Sequence, residues 1–287
     1  MYKKFIFLIF LVHACVAQAQ QDNGISVELR NELTSAALEQ ASSPKLHSSI
    51  ALIFDVNDQR ALYSKNAESV VPIASISKLM TAMVVLDAQL PMNEAIRINK
   101  QDMDRLKGSS SRMHPGITLT RGELLKLALM SSENRAAAAL ARTYPGGTEA
   151  AVAEMNAKAR ELGMMNTHFL EPTGLNSGNV STAQDLVKMV LAAQAYAPIH
   201  QATTSTSHRV AQRGHRSLIY HNTNPLVRNA SWDIGVSKTG YISEAGRCLV
   251  MQANIKQNPV VIILLDSSDK NTRIADAIRV KKWMERA

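Results

Sequence analysis

Apolar runs near both ends of the chain predict the strands of a β-sheet. Two early runs are joined by the turn residues Asn57 and Asp58, a hairpin signal, and three later runs alternate with turn signals after Trp232. The predicted strands are residues 49–55, 59–64, 235–241, 247–255 and 259–265.

Between these strands, apolar residues recur with the 3.6-residue period of helices. The strongest such pattern begins at Ser75 and ends before Pro91, and Thr120 with Glu123 forms a capping box that predicts another helix start. Further helices are predicted over residues 134–144, 148–162, 182–195 and 271–286. Strands at both ends of a helical middle predict an α+β fold, in which helices flank one antiparallel sheet and a helical subdomain is inserted at about residues 92–230.

The start of the chain has the pattern of a secretory signal peptide. A basic start precedes an apolar run over residues 5–12, and Ala17-Gln-Ala19 gives a small-x-small cleavage pattern. Lipid attachment at Cys15 is the less favoured alternative, because His13 fits that pattern poorly. No later run is long and apolar enough to predict a transmembrane anchor in the mature protein. The expected segments are a signal peptide at 1–19, a polar extension at 20–47 and a folded domain at 48–287.

The chain is basic, with a formal charge of +8, whereas aromatic residues make up only 5% of it. No basic run is interleaved with aromatic residues, so nucleic-acid binding has little support. Because net positive charge favours association with polyanionic surfaces, an anionic polymer outside the cytoplasm is the more natural partner of an exported protein.

The pattern Ser-x-x-Lys occurs three times, and its context selects one copy. The copy at Ser42 contains a proline, and the copy at Ser267 lies in a polar turn after a predicted strand. Only Ser75-Ile-Ser-Lys78 opens a strongly periodic helix, where the three-residue spacing puts both side chains on neighbouring parts of one face. There an amine can take the proton of a serine nucleophile, beside the free N–H groups of a helix N-terminus.

Two further motifs follow in the chain. Ser-x-Asn also occurs three times, and only Ser132-Glu-Asn134 stands between two helical patterns, where a loop is held firmly. Lys238-Thr239-Gly240 occurs once, on a predicted strand, and its glycine lets another backbone approach the strand edge closely.

The order of these three motifs is the signature of class A β-lactamases and penicillin-binding proteins. Together with Glu-Pro-Thr-Gly-Leu at residues 171–175, it makes the chain resemble the low-molecular-mass penicillin-binding proteins from about Ser48 to the C-terminus. These are serine D-alanyl-D-alanine carboxypeptidases and endopeptidases, and the chain is most similar to the one-domain endopeptidase type. It departs mildly at Glu133, where Asp is commoner. The resemblance implies a β-lactamase/transpeptidase-like fold with a five-stranded antiparallel sheet.

The resemblance also implies roles for the motif residues. Ser75 would form an acyl-enzyme with a D-alanyl carbonyl, Lys78 would be its base, and Ser132 would relay the proton to the leaving amine. The substrate-binding residues would be Asn134, Lys238, Thr239, Gly240 and Tyr241. Among them, Asn134 would bind the substrate amide, Lys238 and Thr239 its carboxylate, and the N–H of Tyr241 would complete an oxyanion hole with that of Ser75. No metal or other cofactor is expected.

The same resemblance leaves several functions open. Few residues follow the last predicted strand, so the second domain and the C-terminal anchor of many carboxypeptidases are not expected. This favours a periplasmic endopeptidase that cleaves D-alanyl-diaminopimelate crosslinks in peptidoglycan peptides and is acylated by β-lactam antibiotics. The alternatives are a DD-carboxypeptidase that removes terminal D-alanine, a class A-like β-lactamase and an inactive wall-binding module. Glu171 is interpreted as structural rather than deacylating, and Arg247 either reaches a carboxylate or is structural.

Overall fold

The predicted strands form one antiparallel sheet. A computed structural model describes residues 43–211 and 217–286 of the chain. Its strands are β1 (Ile50–Asp55), β2 (Arg60–Lys65), β3 (Val71–Pro72), β4 (Ala95–Arg97), β5 (Thr118–Thr120), β6 (Val180–Ser181), β7 (Ser207–Ala211), β8 (Ser217–His221), β9 (Asp233–Ile242), β10 (Gly246–Ile255) and β11 (Asn258–Ser267). The main sheet has the order β2-β1-β11-β10-β9, and each neighbouring pair is antiparallel. The α+β fold with a five-stranded antiparallel sheet is confirmed.

The central strand β11 is covered on both faces of the sheet. Every residue from Val260 to Leu265 is fully buried, so neither pleated face of this strand reaches solvent. Burial on both sides explains why its sequence is continuously apolar instead of alternating. The edge strand β9 pairs only with β10 within the described ranges, which leaves its second edge available to an extended ligand.

Six of the predicted helices are present. The α-helices of the described residues are α1 (Lys78–Asp87), α2 (Arg121–Met130), α3 (Asn134–Arg142), α4 (Gly147–Glu161), α5 (Ala183–Ala193), α6 (Ala197–Thr204) and α7 (Thr272–Arg286). The expected helix start at Ser75 needs a correction, because Ser75 lies in a 3-10 helix, Ala74–Ser77, that leads into α1. Residues Lys78 to Val85 of α1 are all buried, as expected of a helix packed on every side.

The sequence pattern does not predict α6 or the small sheets β3–β6, β4–β5 and β7–β8. β3 and β6 have two residues each, too few for a period to show. The eight-residue helix α6 has Pro198 in its first turn, and this helix-start signal is the one feature that marks it in the sequence.

The segment boundaries remain predictions. The expected signal peptide at 1–19 and most of the extension at 20–47 lie outside the described residues. Within the expected helical subdomain at about 92–230, α5 packs against β1, β10 and β11 of the main sheet. No helix in residues 43–211 and 217–286 combines the length and the apolar character needed to cross a bilayer.

A buried carboxylate joins the beginning of the sheet to the last helix. Asp276 in α7 is 0% exposed and accepts hydrogen bonds of 2.7 Å from both the N–H and the hydroxyl of Ser48. It also accepts one from the N–H of His47 and pairs with Arg279 at 2.7 Å. The carboxylate therefore satisfies donors that would otherwise be buried without partners.

Replacing Asp276 with Ala should lower the free energy of unfolding by about 3 kcal/mol, because buried donors of a charged hydrogen-bond network lose their acceptor. Asp269→Ala is the matched control, since Asp269 accepts from Asn271 and Thr272 at the exposed start of α7, where water can replace it. Its loss of stability should be clearly smaller. Urea denaturation of both variants measures the difference. Equal losses would contradict the role given to Asp276.

Candidate active site

Three distant segments of the chain meet at one groove of about 480 Å³. Six of the predicted site residues line it, and the two predicted lysines are buried beneath it, each 1% exposed. The lining residues among the predicted ones are Ser75, Ser132, Asn134, Thr239, Gly240 and Tyr241. The eight residues chosen from sequence are therefore brought together.

Lys78 joins three segments through its buried amine. Its Nζ donates hydrogen bonds to Ser75 Oγ at 2.7 Å, Asn134 Oδ1 at 2.8 Å and the carbonyl of Thr173 at 2.5 Å. Burial lowers the pKa of Lys78 to about 8, although the carboxylates of Glu171 and Glu133 oppose this shift. A fraction of the amine is therefore neutral near physiological pH and can accept a proton from the adjacent hydroxyl.

The second buried lysine lies beside the serine of the second motif. Lys238 Nζ donates to Ser132 Oγ at 2.8 Å and to the carbonyl of Thr239 at 2.8 Å. Burial, followed by the positive charges of Lys78 and Arg273, holds the pKa of Lys238 well below its usual value. Burial is thus the main cause at both lysines, and like charge adds to it at Lys238.

The turn between α2 and α3 presents Ser132 and Asn134 to the groove. Ser132 has a φ of +59°, a left-handed conformation that costs a non-glycine residue about 1–2 kcal/mol. Glu133 caps α3 by accepting from the N–H of Arg135. The side-chain NH2 of Asn134 donates a hydrogen bond to Ser109 Oγ at 2.9 Å, and its oxygen accepts one from the Lys78 amine, so both ends of this side chain are fixed.

The loop at residues 171–175 supplies the carbonyl that anchors the amine. Glu171 accepts hydrogen bonds from the N–H groups of Thr173 at 2.7 Å, Gly174 at 2.5 Å and Asn176 at 3.3 Å. Its carboxylate therefore folds the loop around itself and aims the Thr173 carbonyl at Lys78. Ser75 Oγ also donates to that carbonyl, at 3.4 Å.

Two glycines allow the backbone of the nucleophile to be packed from both sides. A Cβ on Gly174 would stand 1.9 Å from the carbonyl oxygen of Ala74, and one on Gly240 would stand 3.2 Å from the N–H nitrogen of Ser75. Ala74 itself has a φ of +49°. The nucleophile is thus held in a constrained backbone that larger residues at these two glycines would displace.

Three residues outside the three motifs also belong to the site, and one of them, Thr173, lies in the segment at residues 171–175 that contributes to the resemblance. Thr173 contributes the carbonyl, and Thr223 accepts a 2.7 Å hydrogen bond from the hydroxyl of Thr239. Arg273 at the start of α7 lines the groove, donates to the carbonyl of Gly240 at 2.6 Å, and has a buried Nε without a partner in the described part of the chain. Nothing in the sequence separates Arg273 from other basic residues of a terminal helix.

Arg247 does not line this groove. Its guanidinium lies over the ring of Tyr241, 4.2 Å from the ring centroid. Of the two interpretations of Arg247, this stacking favours the structural one, and the arginine that faces the groove is Arg273.

Comparison with known proteins places the chain in a family. The family model described as D-alanyl-D-alanine carboxypeptidase matches residues 37–269. A D-alanyl-D-alanine endopeptidase of Pseudomonas aeruginosa is 48% identical over 242 residues, which cover 84% of this chain and 78% of the relative. Another of Escherichia coli is 47% identical over 251 residues, covering 87% of this chain and 81% of the relative.

Solved structures agree with these relatives. The crystal structure of a Streptomyces DD-transpeptidase matches with a TM-score of 0.77 at 27% identity, covering 85% of this chain and 98% of that one. A cefotaxime-bound penicillin-binding protein of Listeria monocytogenes matches with a TM-score of 0.74 at 28% identity, covering 85% and 99%. With most of its length matched by the family model, the chain belongs to the D-alanyl-D-alanine carboxypeptidase family and is a serine-type D-Ala-D-Ala peptidase.

Proposed function

We propose that this peptidase is a periplasmic DD-endopeptidase that cleaves D-alanyl-diaminopimelate crosslinks of peptidoglycan through an acyl-enzyme on Ser75. The observation that carries the proposal is the 2.7 Å hydrogen bond between Ser75 Oγ and a lysine amine whose pKa is lowered to about 8. The two relatives at 48% and 47% identity, both D-alanyl-D-alanine endopeptidases, support the choice of bond. The periplasmic location rests on the predicted signal peptide.

Acylation would begin at the neutral amine of Lys78. As the amine takes the hydroxyl proton of Ser75, Oγ bonds to the D-alanyl carbonyl carbon and the carbonyl oxygen becomes an oxyanion. The N–H groups of Ser75 and Tyr241 would stabilise this oxyanion, and each such donor is worth about 3–4 kcal/mol in hydrolases. Ser132 would then deliver the proton to the leaving nitrogen as the C–N bond breaks. A water molecule later hydrolyses the ester and restores Ser75.

The groups at the two ends of the groove differ, and this difference would orient the substrate along β9. Thr239 and Arg273 line the groove on the leaving side. A substrate carboxylate there would be attracted by the guanidinium and would accept the Thr239 hydroxyl hydrogen that now goes to Thr223. Asn134 stands opposite, where it would bind the amide that precedes the scissile bond. Lys238 is directed at Ser132 rather than into the groove, so we assign it mainly to the proton relay and the carboxylate to Thr239 and Arg273.

The alternative functions differ in the fate of the acyl-enzyme or in the leaving group. A carboxypeptidase would release free D-alanine through the same acyl-enzyme, and a β-lactamase would hydrolyse a penicilloyl ester quickly. An inactive wall-binding module would have no use for a buried lysine against a serine hydroxyl, since an unused buried amine is costly.

Purified crosslinked muropeptide dimers provide the test. We expect the wild-type protein to split dimers into monomers, and Ser75→Ala to lose both this activity and labelling by fluorescent penicillin. Ser64→Ala is the control, because it removes the hydroxyl of an exposed serine in β2 that does not line the groove. Release of D-alanine from pentapeptides with dimers left intact would identify a carboxypeptidase instead.

The pH dependence of acylation should follow the Lys78 amine. Since only the neutral amine accepts the proton, the rate of penicillin acylation should rise about tenfold per pH unit below about 8 and level off above it. Stopped-flow measurements from about pH 6 to about pH 9.5 would show this limb, with circular dichroism as the control for folding. A rate that is flat or falling over that range would exclude Lys78 as the base.

Glu171→Gln separates a positioning role from a deacylating one. A glutamine has one acceptor oxygen and loses part of the loop hydrogen bonds, so the Thr173 carbonyl shifts and acylation should fall about 10- to 100-fold. The lifetime of the penicilloyl adduct, followed by mass spectrometry, should stay long. Glu161→Gln on the exposed end of α4 should change neither quantity. An adduct that becomes much longer-lived while acylation stays fast would instead mark Glu171 as the deacylating base of a β-lactamase.

A further inference from the structure

Two opposite charges face each other across one end of the groove. Lys107 lines the groove and forms an ion pair with Glu244, in the turn after β9. Ser243 also lines the groove, and its hydroxyl donates a 2.7 Å hydrogen bond to Glu244. The side chains of Lys107 and Glu244 are 31% and 40% exposed, so a ligand that extends from the groove past Lys107 and Ser243 can reach both charges.

The loop that carries Lys107 is held in place by its own carboxylate. Asp104 accepts hydrogen bonds from the N–H groups of Leu106 at 2.7 Å, Lys107 at 3.0 Å and Ser109 at 2.7 Å. Ser109 in turn receives the amide of Asn134 at 2.9 Å. Lys107 is therefore placed by the same contacts that fix the substrate-binding amide.

The distance from the nucleophile to this pair is compatible with the length of an acyl-donor peptide. Gly240 is packed against Ser75, β9 continues to Ile242, and Glu244 lies in the turn that follows, at most about 13 Å along the chain from Gly240. A D-alanyl residue and the diamino acid before it would cover about 7 Å of β9. The diaminopimelate side chain adds about 5 Å of carbon chain before its charged end.

We propose that Lys107 and Glu244 bind the zwitterionic end of the diaminopimelate in the acyl-donor stem, and this inference rests on the proposed endopeptidase function. Lys107 would bind the free carboxylate of that end, and Glu244 its free ammonium. An exposed ion pair is weak, so opening it costs little, while a zwitterion placed between its members makes two new attractions in its place. A donor side chain that ends in an amide or an acetylated amine satisfies only one of the two residues.

Three crosslinked dimers with the same scissile bond test the proposal. The donor diaminopimelate carries a free end in the first, an amidated carboxylate in the second and an acetylated amine in the third. We expect the wild-type protein to cleave the first with a kcat/KM about 2- to 5-fold above that of the others, as is usual for single exposed charge pairs. The difference should appear mainly in KM, because the contact lies away from the reacting atoms.

Variants of the two residues assign each contact. Lys107→Ala should abolish the penalty for amidation and keep that for acetylation, and Glu244→Ala should do the reverse. The exchange Lys107→Glu with Glu244→Lys keeps an ion pair but inverts its polarity, so it should shift preference toward a donor with the opposite configuration at the charged carbon. Asp58→Ala removes one member of another exposed ion pair, with Arg60, and should leave all preferences unchanged.

The outcomes distinguish this site from the function on which it rests. Equal cleavage of the three dimers by the wild-type protein would overturn the zwitterion site and leave the endopeptidase function standing. A Lys107→Ala variant that still discriminates against the amidated donor would also overturn it. A wild-type protein that is labelled by penicillin but cleaves none of the dimers would overturn both.

Discussion

The buried amine of Lys78 is the interaction on which the rest of the site depends. Taking an ammonium ion out of water costs several kcal/mol unless its protons find acceptors. Here the acceptors come from three separate segments, through Ser75 Oγ, Asn134 Oδ1 and the Thr173 carbonyl. The 3-10 helix, the turn before α3 and the loop at residues 171–175 must therefore all be in place for the amine to remain buried. The site therefore exists only where these three segments are folded together.

The pKa of this amine reflects a balance between burial and distant charge. Burial alone favours the neutral form, whereas the carboxylates of Glu171 and Glu133 favour the charged form. The resulting pKa of Lys78, about 8, leaves the amine partly neutral without making it a poor proton acceptor. Glu171 thus acts on Lys78 twice, through the field of its charge and through the loop that it folds.

The sequence predicts the frame of the fold because the frame depends on periodicity. The strands of the main sheet and six helices are long enough for apolar periods to appear. Of the three motifs, one leads into a helix, one lies in the turn between two helices, and one lies within the edge strand β9. Periodicity does not predict the roles of Thr173, Thr223 and Arg273, because these residues act through one carbonyl, one hydroxyl and one guanidinium. The 3-10 conformation of Ser75 is not predictable from the sequence pattern either, since close packing by Gly174 and Gly240, rather than local propensity, fixes that backbone.

Burial and neighbouring positive charges both act against a full charge on Lys238. Burial lowers its pKa most, and the charges of Lys78 and Arg273 lower it further, so a proton on each amine at once is disfavoured. Because Lys238 donates to Ser132 Oγ, the hydroxyl hydrogen of Ser132 is left free to point at a leaving nitrogen. In the proposed acylation, Lys78 gains the proton of Ser75 and Ser132 gives its own to the leaving nitrogen, so one proton must pass from the Lys78 amine to Ser132 to return both groups to their starting state. Because both lysines are almost fully buried, bulk water does not compete for that proton as it moves.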